Sequence, residues 1–154
     1  MTRSMKFIMM LFLLFASFVI TGQNKDINIQ NNYGAAGYDL VSYTEEKAIK
    51  GSDKFMYKHK GVVYRFSSKV NLLKFEKNPV KFLPQYGGWC AYAMATKGEK
   101  VKVNPKTFEL RNGKLYLFYD AYFDNTYEDW IEQEPEELVI KADKNWASIV
   151  NSNQ

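Results

Sequence analysis

The chain has 154 residues, of which 46% are hydrophobic, 16% aromatic and 25% charged. That suffices for one domain with its own core and is too aromatic for a disordered segment. The formal net charge of +4, which falls to +2 without Arg3 and Lys6 (4 − 2), is too small to call for nucleic acid.

Arg3 and Lys6 lead into an almost unbroken apolar run from Phe7 to Ile20, closed by Thr21-Gly22-Gln23. This is the layout of a secretory signal peptide, whose apolar core runs about 7–15 residues, whereas a membrane span needs about 20. The expectation is a signal over residues 1–22, cleaved near Gly22, and a periplasmic or secreted protein. A membrane is then touched only through an uncleaved signal segment. One cysteine cannot close an internal disulfide; in an oxidising compartment it is buried, paired with another molecule, or used.

Residues 23–36 are polar and aperiodic and read as a flexible lead-in, with the domain spanning 37–150. Tyr38 to Tyr43 reads as an extended or edge segment, and Glu45 to Gly51 as a turn and strand onset. Phe55 to His59 and Val62 to Phe66 are strand-like runs joined at Lys60-Gly61, a hairpin signal. Ser67 then suits an N-cap, and the helix over Ser67 to Asn78 places Val70, Leu73 and Phe75 on its buried side. Asn78-Pro79 ends it.

The next stretch, Leu83 to Met94, carries the only cysteine behind Gly87-Gly88. The glycines read as a tight backbone passage and Trp89 to Thr96 as a short helix with Cys90 in its first turn. Unpaired N–H groups and the helix dipole there favour a thiolate. Lys100 to Val103 alternates as a half-buried strand, and Asn104-Pro105 reads as a turn. Asn112-Gly113 between Thr107 to Leu110 and Lys114 to Tyr119 is the strongest short hairpin signal in the chain. Thr126 to Gln133 reads as a helix capped by Asp124 or Asn125. Pro135 opens another, with Leu138, Ala142, Trp146 and Ile149 at near-helical spacing. The class is α+β. Charge is uneven: Lys47 to Lys81 is lysine-rich, while Asp120 to Glu137 carries no Lys or Arg. The plain reading is two solvated faces that attract weakly.

Tyr57 to Ser68, Phe75-Glu76-Lys77-Asn78-Pro79 and Gln85 to Ala93, taken together, resemble the YHS-domain family. The likeness is greater to its exported single-domain branch, in which Gln-Tyr-Gly-Gly-aromatic-Cys-Ala recurs, and it covers most of Gly37 to Ile149. It implies a small treble-clef-like core of hairpin and helix, extended by a second hairpin and C-terminal helices. Where the wider family presents cysteine ligands, this chain has Ser42, Ser67 and Asn71, so a zinc site built on those cysteines is absent. Some exported relatives look like selenoproteins, with selenocysteine at the position matching Cys90. That implies a redox or soft-metal role for the sulfur.

Three functional classes follow, of which soft-metal binding, copper before other metals, is the leading expectation and the other two are its alternatives. Cys90, His59 and Met94 offer a thiolate, an imidazole and a thioether, a soft set suited to copper, with Cys90 and Met94 four apart on one helix face. Met94 also reads as a core filler and His59 as an ordinary strand residue. In the second class Cys90 is a reactive thiolate of a thiol-redox protein; with no resolving cysteine in the chain, it needs an external thiol or redox partner. In the third the chain is a ligand- or partner-binding module, its aromatics around Gly87-Gly88 lining a pocket. Whether it is an enzyme stays open. Phosphate cradles, metal-hydrolase helices and serine elbows are lacking.

Overall fold

A computed structural model describes residues 25–153, so the signal expected over 1–22 lies outside the described residues. The architecture is α+β: four antiparallel strand pairs and four α-helices among the described residues. No described helix is long and apolar enough to cross a membrane.

Residues 26–34 are part of the fold rather than a flexible lead-in. β1 (Ile29–Gln30) pairs with β2 (Tyr33–Gly34), and Asn28 is buried. The compositional signal missed this because its polar side chains find partners far along the chain. Gln30 bonds both backbone groups of Val103, and Asn28 the carbonyl of Gly88. The extended reading of Tyr38 to Tyr43 fails at its end, where Ser42–Glu45 wind into a 3-10 turn.

β3 (Ser52–His59) and β4 (Val62–Phe66) form the first expected hairpin. Lys60 and Gly61 both take positive φ, 47° and 83°, as a two-residue turn with the right twist demands. α1 (Lys69–Lys77) follows, capped by Ser68, whose side chain accepts from the Asn71 N–H, and not by Ser67. Ser67 is diverted because its hydroxyl donates to Asp39. The expected buried face of α1 is also corrected. Phe75 is fully buried against Tyr64, Phe66 and Phe82, and the residue three before it, Leu72, packs with it. Val70 and Leu73 lie off that face and are 61% and 50% exposed.

α2 (Ala91–Lys97) begins two residues later than expected. Residues 100–103 form no strand, and Asn104-Pro105 does not turn the chain but starts β5 (Asn104–Arg111). β5 pairs with β6 (Lys114–Phe118) about Asn112-Gly113, both at positive φ. A small pair, β7 (Asp120–Ala121) and β8 (Asp124–Asn125), leads into α3 (Thr126–Glu132), capped by Asn125. α4 (Pro135–Ser152) buries Leu138 and Ala142 as its spacing predicts.

The core divides into two clusters. One, around Phe75, Phe66 and Leu117, includes Cys90 and Ala93; the other, around Trp130 and Phe118, includes Ala91, Met94 and Ala95. α2 is thus buried on both sides, which explains its small side chains: alanine lets two cores approach one short helix.

Candidate functional site

Three consecutive residues before the cysteine, Tyr86, Gly87 and Gly88, have φ of 54°, 61° and 82°. The left-handed passage is forced by close approach: a Cβ on Gly87 would lie 2.0 Å from the Asp26 carbonyl oxygen. The N-terminal segment clamps this loop. The Asn28 N–H donates to Gly87 O (2.8 Å), its side-chain amide to Gly88 O (2.9 Å), and Trp89 Nε1–H to Asp26 O (3.1 Å). The Tyr86 hydroxyl donates to Asp143 (2.9 Å); burial first, then this bond, holds it well above the ordinary tyrosine range.

Cys90 is therefore fixed by its backbone. Its N–H donates to Val101 O (2.9 Å), and it bridges Leu117 in parallel fashion. It is the N-cap of α2, not a residue of the first turn. The side chain is fully buried, and the sulfur accepts from the N–H of Ala93 (3.5 Å) and of Tyr119 (3.3 Å). A third contact, at 3.3 Å, is the Thr126 hydroxyl, which is also 2.9 Å from the Tyr119 carbonyl oxygen. Sequence reasoning missed Tyr119 and Thr126. They lie 29 and 36 residues away, at a strand end and a helix start, and only folding joins them to the thiol.

Neither of the other two members of the expected constellation is a hydrogen-bond partner of the sulfur. Met94 is fully buried in the second cluster, on the opposite side of α2 from the cluster that holds Cys90. The His59 ring stands edge-on to Phe75 at 6.1 Å, and its Nε2 has no hydrogen-bond partner. Burial, then the Lys60 ammonium, lowers its pKa from the ordinary histidine value. No hydrogen bond or ring contact links His59 to Cys90 or Met94. Among the described residues no three His, Cys, Asp or Glu side chains form a group able to hold a metal ion.

A cleft of about 440 Å³ is lined by the three residues that bond the Cys90 sulfur, though not by Cys90 itself. Its lining includes Tyr92, Ala93, Tyr119, Asp124, Thr126 and Asp129. A larger cavity, about 700 Å³, opens elsewhere beside α1, where Lys74, Lys77 and Lys81 line it.

The positions at which the resemblance expects metal ligands do converge, but on a carboxylate. Asp39 is fully buried. Its Oδ1 accepts from the N–H groups of Val41 (2.9 Å) and Ser42 (3.3 Å). Oδ2 accepts from the Ser67 N–H (2.8 Å), the Ser67 hydroxyl (2.6 Å) and the Asn71 amide (2.8 Å). The Ser42 hydroxyl donates to the backbone oxygen of Asp39 (2.7 Å). Five donors on one carboxylate tie the segment before β3 to the β4–α1 junction, a cross-link made of hydrogen bonds.

No protein-family model, curated protein or solved structure matches this chain.

Proposed function

We propose that the chain is an exported thiol protein of the YHS-like kind, in which Cys90 exchanges with external thiols and disulfides. The observation that carries this reading is that all three hydrogen-bond partners of the sulfur, Ala93, Tyr119 and Thr126, line one cleft. The convergence of Ser42, Ser67 and Asn71 on Asp39 supports the family likeness, since the resemblance expects those positions to face one point.

The Thr126 hydroxyl has one proton and two acceptors in reach. With a neutral thiol, Cys90 S–H donates to Thr126 Oγ1 and the hydroxyl donates to Tyr119 O. With a thiolate, the hydroxyl turns to the sulfur, which then accepts from it and from two backbone N–H groups. Hydrogen bonds to a charged group contribute about 1.5–3 kcal/mol each. The sulfur is sealed by the layer its partners form, so reaction requires the start of α3 to move aside. The thiolate then attacks one sulfur of an external disulfide; a Cys90–S bond forms, the disulfide S–S bond breaks, and a thiolate leaves. An external thiolate reverses the capture, releasing Cys90 and a new disulfide.

Alkylation of the native protein at pH 7.5 tests this. Thr126→Val, which removes the hydroxyl bonds that hold the start of α3 over the sulfur, should speed Cys90 modification about tenfold, the equivalent of about 1.4 kcal/mol, and a small disulfide should give a single mixed disulfide by mass. Equal rates in both proteins would remove Thr126 from the site. A native thiol inert to alkylator and disulfide would leave Cys90 as a packing residue. Titration with Cu(I), Cys90→Ala as control, distinguishes the metal reading: stoichiometric copper lost in the variant would favour it over exchange.

A further inference from the structure

Two surface features are left unexplained by the thiol, and each has what the other lacks. At the turn between β7 and β8, Tyr122 and Phe123 are 97% and 106% exposed, and Tyr122 takes a left-handed φ of 59°. A bulky aromatic is disfavoured in that conformation, and two adjacent aromatics gain nothing from full hydration. Asp120 and Asp124 flank the pair, with Glu128 and Asp129 on the next turn. The second feature is the cavity of about 700 Å³ beside α1, whose lining includes Val41, Phe82 and Leu110 together with Lys74, Lys77 and Lys81. Val41 and Phe82 are buried beneath it, while the three lysines are exposed. None of the three lysines forms an ion pair with a described residue. One feature is an apolar knob between carboxylates; the other is an apolar hollow among ammonium groups that have no carboxylate partner, Lys81 standing over the Phe82 ring at 5.7 Å.

We propose that the Tyr122–Phe123 turn of one copy seats in the lysine-rimmed cavity of a second, so that the chain associates head to tail. Charge complementarity selects a second copy as occupant: the acidic stretch and the basic rim are the two poles of this chain's own uneven charge, and each supplies the counterion of the other. Aromatic side chains bury about 150–250 Å² each, so the knob and its matching wall cover roughly 600–1,000 Å² in total. That is below the about 1,200 Å² of stable interfaces, and the contact is weak and reversible, with a Kd of about 10 μM to 1 mM. Knob and hollow are different surfaces, so the contact is heterologous and continues into short oligomers instead of stopping at a symmetric dimer.

Sedimentation velocity of the mature chain across about 10 μM to 1 mM at low salt reads this Kd range directly. Association should grow with concentration and fall with added salt. Phe123→Ser and Lys77→Glu, both at exposed positions outside the core, should each abolish it. The decisive sample is their mixture: the intact knob of the Lys77→Glu chain fits the intact hollow of the Phe123→Ser chain. It should give one-to-one heterodimers and nothing larger. A wild-type chain that stays monomeric to 1 mM, its aromatic turn then serving a membrane or another protein, overturns the proposal. So does association that survives either substitution, or a mixture that stays monomeric.

Discussion

Replacing Asp39 by Asn changes one oxygen to NH2 at the point where five donors converge, and the structure allows the cost to be worked for each orientation of the amide. With nitrogen in the place of Oδ2, the Ser67 N–H and the Asn71 amide lose their acceptor, although the Ser67 hydroxyl can turn to accept. With nitrogen in the place of Oδ1, only the Val41 N–H is orphaned, because the Ser42 N–H also reaches the Asp39 backbone oxygen at 3.1 Å. The second orientation is the cheaper. A buried unsatisfied donor costs about 1–3 kcal/mol, and three remaining bonds fall from charge-assisted to neutral strength, about 1 kcal/mol each. The expected loss is therefore about 4–6 kcal/mol, offset in part by the lower desolvation cost of a neutral amide, leaving about 3 kcal/mol. Urea unfolding should show the midpoint fall with the slope unchanged. A loss below about 1 kcal/mol, the worth of one ordinary hydrogen bond, would mean that the carboxylate is not what joins Ser42 to Ser67 and Asn71.

Two further substitutions and one titration test the fold. Phe75→Ala should cost about 3–5 kcal/mol as a cavity opens among Tyr64, Phe66 and Phe82, whereas Leu73→Ala, half exposed, should stay within about 0.5 kcal/mol; both are read by urea unfolding. His59 is the only histidine, so its ring protons titrate alone in an NMR spectrum, and the midpoint should fall below the ordinary 6.5. The sign follows: a lowered folded value means that the unfolded chain takes up the proton first. The His59 contribution thus turns unfavourable as pH falls through 6.5, and His59→Gln should remove that step.

Turn chemistry and helix periodicity were legible in the sequence because they are local. Lys60-Gly61 and Asn112-Gly113 need positive φ whatever surrounds them, and Pro135 with Leu138 and Ala142 states a helix start and its buried face. What failed was non-local. Asn28 and Gln30 looked like a loose polar lead-in, since nothing nearby reveals that their partners are Gly88 and Val103. A helical face drawn through Val70 and Leu73 misses the core, because Phe75 and the residue three before it, Leu72, set the buried side of α1. Cys90 stood out as the single cysteine behind a glycine pair, but its chemistry depends on Tyr119 and Thr126, and Asp39 gave no signal at all. Its donors come from two stretches about 25 residues apart, Val41–Ser42 and Ser67–Asn71, and only the positions Ser42, Ser67 and Asn71 were marked, through the resemblance.

The Cys90 loop is held from both ends of the chain, and that decides how its thiol can be reached. Asp26 accepts from Trp89, Lys100 and Asn153, and Asn28 grips Gly87 and Gly88. From the other terminus α4 supplies Asp143 to Tyr86 and the Asn145 amide to the carbonyls of Met94 and Ala95 at the end of α2. Freeing the backbone of Cys90 would break most of these together, which is close to global unfolding. The outer layer is different: at the start of α3 only Thr126 need give way, through its bonds to the Tyr119 carbonyl and the sulfur, while Trp130 one turn on stays in the second core. Thiol exchange through the cleft therefore requires local opening, whose free energy is independent of distant stability. Asp39→Asn discriminates the two routes, because none of the hydrogen bonds of Asp39 reaches α3 or the Cys90 loop. If α3 is the gate, the variant should unfold at lower urea yet alkylate at the wild-type rate in buffer. If Cys90 is reached only through global unfolding, its modification should accelerate in proportion to the lost stability, about 150-fold for 3 kcal/mol, and the cleft would have no part in its chemistry.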